Sequence, residues 1–215
     1  MYTPEQFAVS DIRPLQEVIR RHPLGLLITL HADTLHTTHL PFHLDPAVGE
    51  FGRLEAHLAR VNPHCEALRS GAASMVVFRG PDAYISPRWY TDPARNVPTW
   101  NYVAVHAHGN PRFIDDPARI LGIIGTLTDE HERYIENPWR IEEARPYAER
   151  LVSQIMAFEI DILRLEGKFK LSQNRLPADR AGVLRALAGA RQGHNQELLE
   201  MMQALYTTDG DLRNR

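Results

Sequence analysis

Lys168 and Lys170 stand two residues apart in the run Gly167–Arg175 (GKFKLSQNR), and Ser172, Gln173, Asn174 and Arg175 follow at once. So many donors crowded into one turn or strand end suit the binding of an anion. A second dense run, Val97–His106 (VPTWNYVAVH), carries aromatic and hydrogen-bonding residues together. Alternation along a strand puts Trp100, Tyr102 and His106 on one face and Thr99, Asn101, Val103 and Val105 on the other, and a flat, partly polar ligand could lie against the first. Gly80–Tyr90 (GPDAYISPRWY) is the third such run. In Leu54–Leu68 (LEAHLARVNPHCEAL) a strand ends and a helix begins, with Asn62 as N-cap and Pro63 at the first helical position. Free N–H groups at that start, with His57 and Arg60 just before it, would hold a phosphate. Taken alone, the run reads better as an ordinary capped helix with two solvated basic side chains; joined to the other runs, the phosphate reading overtakes it. For Trp89 and Tyr90 a place in the core is the better reading, and for Trp100 to Tyr102 core packing and ligand contact stand level.

Other chemistries find less support. His36, His39 and His43 fall close together, as do His106 and His108, but on a strand His36 does not share a face with His39 and His43. No metal site is expected among them. There is no Gly-x-Ser-x-Gly elbow, no phosphate-binding Gly-Lys-Ser/Thr loop and no dinucleotide fingerprint. Cys65 is the one cysteine, which excludes an intrachain disulfide and points to a buried, inert thiol. The net charge of -3 gives no push toward nucleic acid. The longest apolar run, Leu24 to Leu30, is too short to span a bilayer, and the opening Met1–Glu5 has neither the basic start nor the apolar core of a signal peptide. No membrane partner and a cytoplasmic location are expected.

The elements that must position these residues can be read from their periods. Asp11 to His22 is an early helix with Asp11 as cap and Leu15, Val18 and Ile19 as its apolar stripe, stopped by Pro23. Leu24 to Leu30 and Thr34 to Leu44 are strands, the second with Thr38, Leu40, Phe42 and Leu44 opposite Thr37, His39, Pro41 and His43. Pro41 cannot donate to a ladder, so it belongs at an edge, a bulge or a gap. Strands follow at Arg53–Leu58, Ala73–Phe78, Ala83–Ser86 and Pro98–Ile114, the last interrupted near Gly109-Asn110-Pro111. Helices are expected at Pro117–Arg133 and Pro146–Gln154, a last strand around Phe158–Ile162, and two closing helices at Ala178–Ala190 and Asn195–Tyr206. Five or six strands in succession predict a barrel or sandwich.

With these runs in hand, the chain resembles the FMN-binding negative transcriptional regulators, the PaiB-like family of the flavin-binding split-barrel superfamily. The likeness is carried by Met1-Tyr2-Thr3-Pro4, His39-Leu40-Pro41-Phe42, His57 to Pro63, Gly80 to Pro87, Val97 to Val105, Leu127-Thr128, Pro138-Trp139, Phe158-Glu159 and Gly167 to Arg175. Arg88 departs from the pattern, where a small residue would be expected. The resemblance implies an α+β, mainly β fold: a six-stranded Greek-key split barrel with flanking helices over residues 1–175, and a C-terminal helical tail, 176–215, belonging to the same domain. It further implies a homodimer with FMN at the subunit seam. Thr38, His39, Leu40 and Pro41 would lie along the isoalloxazine ring, and His57, Arg60 and Asn62 would hold the phosphate. Trp100, Asn101 and Tyr102, with Lys168, Lys170, Ser172, Gln173 and Arg175, would complete the pocket, with the chain of origin of each left open. No catalytic acid or base is nominated. An oxidoreductase of unassigned substrate is one implied role. The alternative is a repressor acting directly on DNA, through the basic residues Arg180, Arg185 and Arg191 of the first closing helix, with FMN as ligand or redox signal.

Overall fold

The computed structural model describes residues 1–189 and 193–208. Ala190 and Arg191 lie outside them. In chain order the elements are β1 (Ala8–Val9), α1 (Ile12–Arg21), β2 (Leu24–His31), β3 (Thr34–Pro41), β4 (His43–Asp45), β5 (Arg53–Ala59), α2 (His64–Arg69) and β6 (Ser74–Ile85). Then follow β7 (Thr99–Gly109), β8 (Pro111–Ile114), α3 (Pro117–Glu132), α4 (Arg145–Leu151), β9 (Ile155–Asp161), β10 (Arg164–Lys170), α5 (Pro177–Gly189) and α6 (Gly193–Thr208). The strands form a six-stranded sheet, β1-β10-β7-β6-β2-β3, and a four-stranded sheet, β4-β5-β9-β8. The architecture is α+β and rich in sheet, but the described residues hold ten strands rather than the six of the expected barrel, and the six-stranded sheet is open, not a closed barrel.

Three of the differences from the sequence expectation bear on the candidate residues or their neighbours. Thr34–Leu44 is two strands, because after Pro41 the chain leaves the six-stranded sheet, Phe42 donates its N–H to the Pro23 carbonyl at 2.9 Å, and β4 joins the other sheet. Pro41 thus sits at the end of an edge strand, where no ladder donor is missed. Conversely, Ala73–Phe78 and Ala83–Ser86 are one strand of 12 residues, with Gly80 and Pro81 inside it. A Cβ on Gly80 would come within 3.0 Å of the Val103 Cβ, so the close approach of the neighbouring strand, and not a turn, accounts for the glycine. The burial phase slips there, from outward Met75, Val77 and Arg79 to outward Asp82 and Tyr84. The α2 helix starts two residues beyond Asn62, whose Oδ1 nevertheless accepts the His64 N–H at 2.9 Å as a capping side chain does.

Contacts gather the described residues into two units. The first contains Asp11–Phe78 and Val105–Glu166. Here Asp11 caps α1 through the Arg13 N–H, and Leu15, Val18 and Ile19 are buried. Phe42 meets Phe78 and Phe158 edge-on, with ring centroids 5.7 and 6.2 Å apart. The α3 helix, capped by Asp116, buries Ile120, Ile123 and Leu127 against Ile114, Val152 and Ala157. Arg53, Arg112 and Arg119 all donate to Glu159, which ties α3 to the central strands of the four-stranded sheet.

The second unit contains Met1–Ser10, Arg79–Ala104 and Gly167 onward. Its β1 extends the sheet edge by pairing Ala8 with Lys168 and Val9 with Gly167. The buried Asp179 of α5 accepts both the N–H and the hydroxyl of Thr91 at 2.8 Å, and Tyr206 of α6 donates to the Leu171 carbonyl. Gly182 is where α5 touches the Pro87–Trp89 turn: a Cβ there would lie 1.9 Å from the Trp89 carbonyl oxygen. Alanine gains about 1 kcal/mol of helix propensity over glycine, but a methyl forced into backbone costs roughly 1–3 kcal/mol. The clash wins, so Gly182→Ala is expected to lower the melting temperature. A variant as stable as the parent would show that α5 and the turn do not touch.

Candidate functional site

The sequence candidates separate into two groups, one in each unit. In the first unit, Thr38 and Leu40 of β3 point inward, Leu40 fully, while His39 is exposed and Pro41 half-buried. The Thr38 hydroxyl lies 2.9 Å from Nδ1 of His64, and Asn62 Nδ2 approaches the same hydroxyl at 3.5 Å. His64 is 2 % exposed and its Nε2 is buried without a partner among the described residues, as is Nδ1 of His57. Burial holds both imidazoles below the usual histidine range, His64 at about 4 with the nearby His36 ring adding to the effect. Both are therefore neutral at neutral pH, so they can serve as hydrogen-bonding groups but not as cations. Arg60 Nε and Nη2 donate to the carbonyls of Ser153 (2.9 Å) and Ile155 (2.8 Å), leaving Nη1 without a hydrogen-bond partner among the described residues. With six residues, α2 is too short for a strong dipole.

In the second unit the alternation of β7 stands as expected: Asn101 and Val103 are buried, while Trp100 is exposed and Tyr102 half-exposed. Trp100 meets Tyr84 edge-on, with centroids 6.0 Å apart. The neighbouring strand β10 brings Lys168 to the face of Tyr102. Its ammonium lies 5.3 Å from that ring, 5.5 Å from the ring of Tyr2 and 3.1 Å from the Tyr2 carbonyl. Lys168 is only 9 % exposed, and among the described residues no carboxylate pairs with it or with Lys170. Lys170 donates to Thr99 Oγ1 at 2.5 Å, and burial, reinforced by Lys168 and Arg175, pushes its ammonium below the usual lysine range. Both lysines carry a desolvation cost that an anion would offset.

The rest of the Gly167–Arg175 run is spent on structure. Gln173 closes a turn on itself, donating to the Phe169 carbonyl and accepting the Leu171 N–H. Ser172, at φ 71°, lies inside and accepts a bond from Asn101 Nδ2 at 2.9 Å beneath Met202. Asn101 and Ser172 are thus interior residues rather than part of the open face, although Asn101 Oδ1 has no partner among the described residues. Arg175 bonds Asn96 and stacks 4.5 Å over Tyr90. Beside that anchor, Tyr84, Ser86, Pro87, Arg88, Asn96 and Pro98 line an open cleft of ≈ 550 Å³, within the range of ligand pockets. Sequence reasoning missed Tyr2 and Tyr84. Tyr84 has a signal, as the exposed aromatic in an alternating strand; Tyr2 reaches Lys168 only through the pairing of β1 with β10, which no local pattern carries. Trp89 is half-buried and Tyr90 buried, and Cys65 is buried with its thiol pushed up by that burial.

An open aromatic face flanked by one buried and one half-buried lysine, neither paired with a carboxylate among the described residues, on a sheet-rich α+β scaffold, fits a flavin: the rings match its faces and the ammonium groups its anionic parts. The scaffold is shared with solved proteins of low sequence identity. It resembles the FAD and heme binding protein from Mycobacterium smegmatis (TM-score 0.56, 17% identity, covering 76% of this chain and 73% of that one). It also resembles the flavocytochrome Anf3 from Azotobacter vinelandii (TM-score 0.55, 15% identity, 76% and 69% covered).

Residues 1–164 match the family model described as "Putative FMN-binding domain". The chain belongs to that family, and its cofactor is FMN. It is 29% identical over 206 residues to the protease synthase and sporulation protein PAI 2 of Bacillus subtilis (strain 168), covering 94% of this chain and 97% of that one. It is 34% identical over 223 residues to an uncharacterized protein of Emericella nidulans, covering 86% and 89%. No helix among the described residues is long and apolar enough to cross a membrane.

Proposed function

We propose that this chain is an FMN-dependent oxidoreductase working as a homodimer, with the flavin at the subunit seam. The observation that supports this most directly is Lys168, an ammonium held at 9 % exposure between two tyrosine rings with no carboxylate partner among the described residues. Trp100, Tyr102, Lys168 and Lys170 of one protomer would face the ring system. The second protomer would bring its Thr38–Pro41 edge strand to the ring's polar rim, and His57, Arg60 and Asn62 to the phosphate. Bound FMN supplies the acceptor and donor of electrons; the residues supply orientation and charge. Lysines beside the flavin favour the negative charge that arrives with electrons, which raises its potential. A Greek-key winding and a cytoplasmic location belong to the same reading.

The first test is a visible absorption spectrum of the purified chain, before and after adding FMN and desalting. A retained two-band flavin spectrum is expected, followed by nicotinamide oxidation above the rate of free FMN. A chain that stays colourless would sink the proposal. Arg60→Ala is expected to weaken FMN binding about tenfold, as loss of a charge-assisted bond does. Because Arg60 also ties β5 to the Ser153 and Ile155 carbonyls, a fluorescence titration is to be read beside a melting curve. Unchanged affinity would remove Arg60 from the phosphate site. Sedimentation showing an FMN-loaded monomer would contradict the seam.

Direct action on DNA draws less support. Arg180 is spent inside its own unit, donating to the carbonyls of Arg175 and Gln173 and stacking 4.9 Å over Tyr206. The α6 helix carries Glu197 and Glu200, and Arg191 lies outside the described residues.

A further inference from the structure

Two histidines set aside in the sequence acquire a third companion in the fold. His106 and His108 are two apart on β7 and so share a face, and Glu166 of β10 comes up beside them. One ligand atom from each lies within 4.8 Å of the others, and all three residues are half-buried. We propose that His106, His108 and Glu166 form a binding site for one divalent first-row transition metal ion of the zinc and cobalt kind. This site is independent of the flavin reading.

The chemistry of the donor set selects the ion. Two imidazoles and one carboxylate suit zinc, cobalt, nickel or ferrous iron, and not the all-oxygen shells of calcium or magnesium. Ligand atoms sharing one such ion sit about 3–4 Å apart, given bonds of about 2.0–2.2 Å, so modest side-chain rotation closes the cluster. Three ligands on paired strands leave the remaining positions to water, as in open rather than structural sites.

His108 shows how the ion would enter. Its Nε2 lies 2.8 Å from Glu166 Oε2, and its Nδ1 lies 3.2 Å from Arg164 Nη2. Arginine only donates, so Nδ1 accepts and the imidazole proton sits on Nε2, shared with Glu166. A metal takes the place of that proton. The proton moves to Nδ1, and Arg164, whose side chain is 58% exposed, swings off Nδ1 while its 2.8 Å pairing with Glu166 Oε1 can persist. Arg164 is therefore a competitor, and its removal should favour the ion.

The test is Co²⁺ titration of the untagged, FMN-loaded chain after chelator treatment, read by ligand-field absorption and calorimetry. One ion per chain is expected, with affinity falling about 10–100-fold in His106→Ala and in Glu166→Gln, the range typical of disturbed metal sites. Arg164→Ala, at an exposed position where folding is not at stake, is expected to bind more tightly. In the parent chain, Zn²⁺ should shift the imidazole NMR signals of His106 and His108 and leave exposed His131 unmoved. No stoichiometric binding, binding that survives His106→Ala with His108→Ala, weaker binding in Arg164→Ala, or unmoved His106 and His108 signals would each overturn the proposal.

Discussion

Lys168→Met is expected to yield a chain that binds FMN some ten- to a hundredfold more weakly and yet, without FMN, melts at a higher temperature. The two effects share one cause. Lys168 is 9 % exposed, and its ammonium has ring faces and the Tyr2 carbonyl for company but no carboxylate among the described residues. Leaving water at that depth costs energy that ring faces and one carbonyl return only in part. Methionine keeps much of the stem's volume and apolar contact and discards the charge, and replacing buried charge by a well-packed apolar group is often neutral or stabilising. With FMN bound, the balance reverses. A hydrogen bond to a charged group is worth about 1.5–3 kcal/mol, which corresponds to roughly tenfold to a hundredfold in affinity. Fluorescence titration and differential scanning calorimetry on the same preparation measure both signs. A variant that loses stability and keeps its affinity would show that Lys168 is a structural residue.

Acidification from about pH 6.5 to about 4 is expected to cost the fold roughly 3 kcal/mol through His64 alone. Its imidazole is 2 % exposed and is held at about 4 by burial and by the His36 ring, 5.5 Å away. The unfolded chain takes up a proton near pH 6.5, which the folded chain refuses until about 4. The contribution is thus intact above the unfolded value and is lost as pH falls through the window between the two. His57 and His106, also lowered by burial, act in the same direction. His43 opposes them, because its 2.8 Å bond to Glu130 raises it. That pairing helps at low pH and is lost as pH rises through the raised value. Urea denaturation across the window should show the slope, and His64→Gln, which cannot titrate, should flatten it. An equal slope in that variant would place the acid sensitivity elsewhere. Because His64 holds Thr38, the same window should loosen the β3 edge proposed to meet the flavin.

Local rules recovered much of this molecule. The cap of α1, Asp11, was legible because a capping side chain acts within three residues of its own position. The alternation of β7 was legible too, since a strand has a period of two and its buried face shows in Val103 and Val105. The blocks that carry Lys168, Trp100 and Tyr102 declared themselves by residue type, and with the family resemblance they pointed to FMN.

Other features depend on distant parts of the chain. Gly80-Pro81 looks like a turn until the Val103 side chain against Gly80 explains it as the middle of a long strand. Asn101 looks like a ligand contact until Ser172, 71 residues on, binds it in the interior. Arg60 looks free until it meets the carbonyls of Ser153 and Ile155, 93 and 95 residues away. Glu166 joins His106 and His108 only because β10 lies beside β7. Residue order alone was enough for the period and capping of each element, for the family and for the cofactor, because these rest on chemistry within a few residues of each position. Which donors are spent on carbonyls, hydroxyls or an asparagine, and which histidines lose their charge, was settled by packing, because burial and partnership belong to pairs of segments that the chain brings together only when it folds.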